Sequence, residues 1–153
     1  MIRKTLKVGA ACMLALGAVA ATQATAQADD GKAKLTYVLR PQLAQSPYTG
    51  VDIYYGGVYA GTGIWSQDPG GDINGDGATD PGDALIAYDG AADGLGVEAR
   101  LDTGRVASTR GHGSPYWSAW ATGNLGEGSR HTMKVCVVKG DWESCLSPVS
   151  VTA

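Results

Sequence analysis

The run Gly70-Gly-Asp-Ile-Asn-Gly-Asp-Gly-Ala-Thr-Asp-Pro-Gly-Asp83 holds four aspartates and an asparagine with no lysine or arginine beside them. Counted from Asp72, the side chains of Asp72, Asn74, Asp76, Asp80 and Asp83 fall at positions one, three, five, nine and twelve. Gly77 is sixth, and Ala78 at the seventh can offer its backbone carbonyl. A hard divalent cation needs six to eight oxygens in a shell of about 2.4 Å, and alternate side chains on a sharply turned backbone supply them. Calcium (Ca2+) is the expected ligand of this loop. The competing reading is a solvated acidic loop, since Asp, Asn and Gly are also what turns favour. Like-charge repulsion among so many carboxylates speaks against it.

The loop Gly-Asp-Ile-Asn-Gly-Asp-Gly…Asp resembles the EF-hand calcium loop, and more closely its dockerin-type version. The resemblance implies an ion held by Asp72, Asn74, Asp76, the Ala78 carbonyl, Asp80 and Asp83. Dockerins carry two such loops and this chain has one, so a cohesin partner is not expected. Integrin-type repeats set a related Asp-x-Asn-x-Asp-Gly-x-x-Asp loop between strands, and its first four ligand positions are equally satisfied here. Asp83 is then either a ligand or a turn residue. Asp80-Pro81-Gly82-Asp83 also reads as a helix start, which leaves one short helix before Gly90 as an alternative to a strand.

Other chemistry is thinner. Ser108-Thr-Arg-Gly-His-Gly-Ser114 brings a serine near a histidine, but flanking glycines read as a turned surface loop rather than a nucleophile with its base. His112 and His131 are the only histidines and lack the spacing of a zinc site. Tyr54, Tyr59, Trp65, Trp117 and Trp120 could form a sugar-stacking platform. In a chain without phenylalanine, however, tyrosine and tryptophan must also fill the core.

The elements that must position these residues begin after a leader. Met1-Ile-Arg-Lys-Thr-Leu-Lys is basic, Val8 to Ala21 is largely apolar, and Ala26-Gln27-Ala28 fits the small-x-small cleavage rule. Residues 1–28 are expected to be a secretory signal, with Ala26 as a second end point. A membrane anchor is the alternative, but the apolar run is shorter than the roughly 20 residues a span requires. Residues 29–153 then form one domain, secreted and extracellular, with no membrane segment after cleavage. The net charge of −3 becomes more acidic once Arg3, Lys4 and Lys7 are removed, which argues against a nucleic-acid partner.

Between Arg40 and Arg100 there is no lysine or arginine. Cys136 and Cys145 are expected to pair in an oxidising compartment. They lie in alternating segments on either side of Lys139-Gly140-Asp141, the pattern of two antiparallel strands and a turn. Further strands are expected over 35–39, 51–55, 58–65, 84–89, 96–101, 116–120 and 131–138, with Gly56-Gly57 as a two-residue hairpin turn. The expected fold is an all-β antiparallel sandwich with the calcium loop inserted. Leu125 to His131 and the strand, turn and strand that follow resemble the last third of a fibronectin type III domain, with His131 where that family has a tyrosine. This implies an immunoglobulin/fibronectin III-like sandwich and no particular ligand.

Three functions fit this sequence. The first is a non-enzymatic calcium-binding module whose ion stiffens the loop for contact with an extracellular polysaccharide or protein. The second is a carbohydrate-binding module, and the third a small hydrolase or protease inhibitor, for which no convergent site is legible.

Overall fold

The computed structural model describes residues 23–24, 33–40 and 46–153. The expected leader, apart from Gln23 and Ala24, and the expected mature start at Asp29 lie outside them. The described chain is all-β, with eleven strands in two antiparallel sheets. The first sheet runs in the order β1 (Gln23–Ala24), β2 (Leu35–Arg40), β3 (Tyr48–Tyr55), β4 (Val58–Ser66), β5 (Ala84–Asp89) and β8 (Tyr116–Trp117). In the second, β6 (Gly96–Leu101) lies between β7 (Val106–Ser108) and β9 (Arg130–Lys139). The other edge of β9 is shared by β10 (Trp142–Cys145) and β11 (Val149–Thr152).

Strands β4, β5 and β8 facing β7, β6, β9 and β10 make a fibronectin III-like sandwich, to which the β2–β3 hairpin is added at the edge of the first sheet. The alternation read from the sequence is what divides inside from outside. Ile53, Trp65, Leu85, Ala87, Val97, Ala99, Met133, Val135 and Val137 all belong to one buried cluster. Trp65 is fully buried, and its indole N–H donates to the Thr152 carbonyl at 2.8 Å, satisfying its one polar atom inside the core. Gly63 faces Val135 across the sheets, where a Cβ would sit 2.6 Å from a valine methyl. A side chain there would force the layers apart.

Gly56 and Gly57 both have positive φ, 61° and 82°, as the expected hairpin turn requires. No helix follows Pro81. Asp83 sits in the left-handed region at φ 49° and Ala84 enters β5, where Leu85 is drawn into the core opposite Trp65. Burial of this alternating face overrides the local helix signal.

Of the segment 116–120 only Tyr116–Trp117 is strand, because the Ser118 hydroxyl takes the Ala87 amide (3.0 Å) in place of a backbone carbonyl. The closing strand expected after the turn is broken into β10 and β11 around Pro148, which has no amide to donate to β9.

Cys136 and Cys145 form a disulfide between directly opposed residues of β9 and β10. Lys134 and Cys136 alternate with the core residues Met133, Val135 and Val137, so the bridge lies on the outer side of its sheet. Replacing both cysteines by alanine should cost about 2.5 kcal/mol through the larger entropy of the unfolded chain, measured as a lower urea midpoint.

Candidate functional site

The acidic loop joins β4 to β5 and is closed at its base by two backbone bonds, Gly70 N–H to the Asp80 carbonyl (3.0 Å) and Asp80 N–H to the Gly71 carbonyl (3.2 Å). It is therefore a loop between strands, with no helix on either side. Within it, the Asp72 carboxylate accepts the amides of Asp76 and Gly77, each at 3.0 Å, and Asp76 accepts the Ala78 amide at 2.8 Å. Those bonds curl the chain around Asn74, and Gly77 takes the sharp turn at φ 81°. The Asn74 Nδ2 donates to Asp76 at 2.8 Å, while its side-chain oxygen is buried without a hydrogen-bond donor. The amide bond from Ala78, then the one from Asn74, hold the Asp76 carboxyl below the usual range.

Asp80 turns inward. It is 2% exposed and accepts the Ile73 amide at 2.7 Å and the Tyr48 hydroxyl. Tyr48 also reaches the Gly70 carbonyl at 2.5 Å, so one phenol of β3 clamps the base of the loop. Burial, reinforced by the Asp80 carboxylate, pushes that phenol well above its ordinary range. Asp83 faces away from the loop: its carboxylate accepts the Leu125 amide at 2.8 Å and its carbonyl accepts from Arg105. Of the two readings open for Asp83, the observed contacts are those of a turn residue. Among the described residues no three His, Cys, Asp or Glu side chains are gathered closely enough to hold a metal. Asp83 takes the Leu125 amide outside the loop, and Asp80 is drawn inward to the Ile73 amide and the Tyr48 hydroxyl. The oxygens around the curl are those of Asp72 and Asp76, which accept N–H groups of the loop, and the unpartnered Asn74 Oδ1.

The proposed aromatic platform divides. Trp65 is core and is removed from it. Tyr54 and Tyr59 meet edge to face at 5.6 Å, and Trp117 lies against Tyr88 at 4.6 Å. Trp120 is half-buried beyond the end of β8. Tyr88 was legible only through its alternation with Leu85 and Ala87, and Tyr48 through nothing local, because it lies 32 residues from Asp80.

A constellation that sequence order hides joins Ser129, His131 and Asp102. With its proton on Nδ1, His131 donates to Asp102 at 2.9 Å and its Nε2 accepts the Ser129 hydroxyl at 2.9 Å. This is the connectivity of a nucleophile, base and orienting acid. The surrounding donors are spent, however: Ser129 N–H goes to the Gly126 carbonyl (2.9 Å) and Gly128 N–H to the Ala153 carbonyl (2.7 Å). Neither amide can stabilise an oxyanion, and Asp102 also holds the Thr132 amide at 2.9 Å. The three side chains fasten the corner before β9, where the fibronectin-like pattern placed an aromatic. Ser108 and His112 are not joined: His112 instead stacks on Tyr116 at 3.9 Å.

No family model, curated protein or solved structure matches this chain.

Several carboxylates lie below their usual range. The His131 hydrogen bond lowers Asp102, and the Arg100 guanidinium lowers Glu143. Burial pushes Glu98 up, but its bonds to Arg100 and Arg110 outweigh this and the net shift is downward. Each group contributes stability that is fully present above the unfolded carboxylate range and is lost as pH falls through the lower folded value. The urea midpoint should therefore hold steady from pH 7 to pH 5 and decline below about pH 4. Arg100→Met should shallow that decline.

Proposed function

We propose that this chain is a secreted, non-enzymatic β-sandwich module whose β4–β5 loop takes one calcium ion. The observation that carries the reading is the buried side-chain oxygen of Asn74, which has no donor and lies within a curl formed by Asp72 and Asp76. A buried polar atom left without a partner is costly, and a hard cation would satisfy it. Asp72, Asn74 and Asp76 would hold the ion with side-chain oxygens and Ala78 with its carbonyl. The ion would supply positive charge to a loop that has none of its own.

Asp80 and Tyr48 fix the loop's base, so binding would stiffen a segment already anchored at both ends. Asp83 stands outside this ligand set. The engaged amides beside Ser129 favour a structural corner over a hydrolytic site.

With a dissociation constant near 10 μM, 1 mM calcium would add about 2.7 kcal/mol of stability. Titration calorimetry should find one site, and a chelator should lower the melting temperature by several degrees. Asp72→Asn combined with Asp76→Asn should abolish both effects. Absence of titration heat with the native chain, together with an unchanged melting curve, would remove the proposal.

Asp83→Ala separates ligand from turn. It orphans the Leu125 amide and should cost about 2 kcal/mol in the calcium-free protein while leaving the binding stoichiometry at one.

A further inference from the structure

The outer face of the first sheet carries a row of aromatic rings that crosses four adjacent strands: Tyr54 on β3, Tyr59 on β4, Tyr88 on β5 and Trp117 on β8. Tyr54 and Tyr59 are cross-strand partners, as are Tyr88 and Trp117. Gly90 joins the two pairs: a Cβ there would lie 2.7 Å from the Tyr59 ring and 2.9 Å from the Tyr88 ring. All four side chains are half-buried, yet none belongs to the core cluster or packs against it. Tyr55 and Trp142, by contrast, do pack against that core. The row spans three inter-strand gaps of about 4.8 Å each, and because Tyr88 stands opposite Thr62 rather than Tyr59 it crosses them obliquely.

Polar groups border the rings. The Tyr59 hydroxyl bonds Thr62 at 2.7 Å, the Thr62 hydroxyl donates to Asp52 at 2.6 Å, and Arg40 pairs with Asp52. Asp52, Thr62, Tyr88 and Trp117 are successive register partners, so this polar ladder runs into the ring row. Its one cation and one anion neutralise each other.

We propose that this row binds a neutral polysaccharide, with successive sugar rings lying along Tyr54, Tyr59, Tyr88 and Trp117. The faces of pyranose rings present C–H groups that pack on aromatic faces, and their hydroxyls need both donors and acceptors at the edge. The half-buried Asp52 carboxylate and Tyr59 oxygen accept and the exposed Arg40 guanidinium donates, while Thr62, itself buried, holds them from beneath. A polyanion is disfavoured because Arg40, beside the row, is already paired with Asp52 and no lysine or arginine occurs between Arg40 and Arg100. A strip of partly exposed rings crossing a sheet face suits an extended chain. This inference is independent of the calcium loop, which lies at the far end of β4.

The test is affinity electrophoresis and titration calorimetry of the native chain with soluble neutral β-glucan, xylan and galactomannan, beside the polyanions polygalacturonate and heparin. Binding to at least one neutral polysaccharide is expected, weakened at least about tenfold by Trp117→Ala and by Tyr54→Ala and largely retained in Trp117→Phe. Near-native melting temperatures would show that the variants fold. The proposal is overturned if no neutral polysaccharide binds, if only polyanions bind, or if folded Trp117→Ala and Tyr54→Ala bind like the native chain. Recovery of a protein partner through the same rings, with no glycan binding, would also overturn it.

Discussion

The two sheets meet over Trp65. Its ring is fully buried in the cluster that both sheets share, and its indole N–H is spent on the last strand at Thr152. Arg105 lies over the ring at 6.0 Å and turns its guanidinium to the Asp83 carbonyl, so the same buried tryptophan is linked to the foot of the acidic loop. Asp83 in turn takes the amide of Leu125 at the corner before β9. Loop, core and corner thus share one short chain of contacts. The acidic segment can therefore extend into solvent without loosening the strands it joins.

The strands were legible because alternation is a local signal with a global cause: each inward residue must find the opposite sheet. Segments 84–89 and 96–101 appear with the same boundaries in sequence and structure. The three-residue β7 escaped notice because Val106-Ala-Ser108 is too short to show a period, and its pairing with Glu98–Arg100 supplies what its sequence does not. The helix signal at Pro81 failed for a related reason. A proline and flanking aspartates are worth less than burying Leu85 beside Trp65.

The loop was legible in its oxygen spacing and not in the fate of each oxygen. Spacing cannot reveal that Asp80 would be claimed by Tyr48 from another strand, or that Asp83 would be claimed by Leu125. Aromatic residues posed the same difficulty in reverse. Trp65 and Trp117 are alike in composition, and only their register separates a core ring from a surface one. His131 stands where the fibronectin pattern has a tyrosine, while its bond to Asp102 joins residues whose separation in the chain hides it.

The pair of backbone bonds between Gly70, Gly71 and Asp80 closes the acidic segment at its neck, independently of the β4–β5 ladder. A segment closed this way is a cassette. Its opening and closing leave the ladder register untouched, so its local unfolding free energy is set by its own few bonds rather than by the cooperative stability of the sandwich. In the calcium-free protein, residues between the neck positions can change in sequence or length at a cost confined to loop closure, which grows only slowly with length. Mutational drift is thus decoupled from foldability there, and the neck marks where a foreign loop could be spliced into this sandwich.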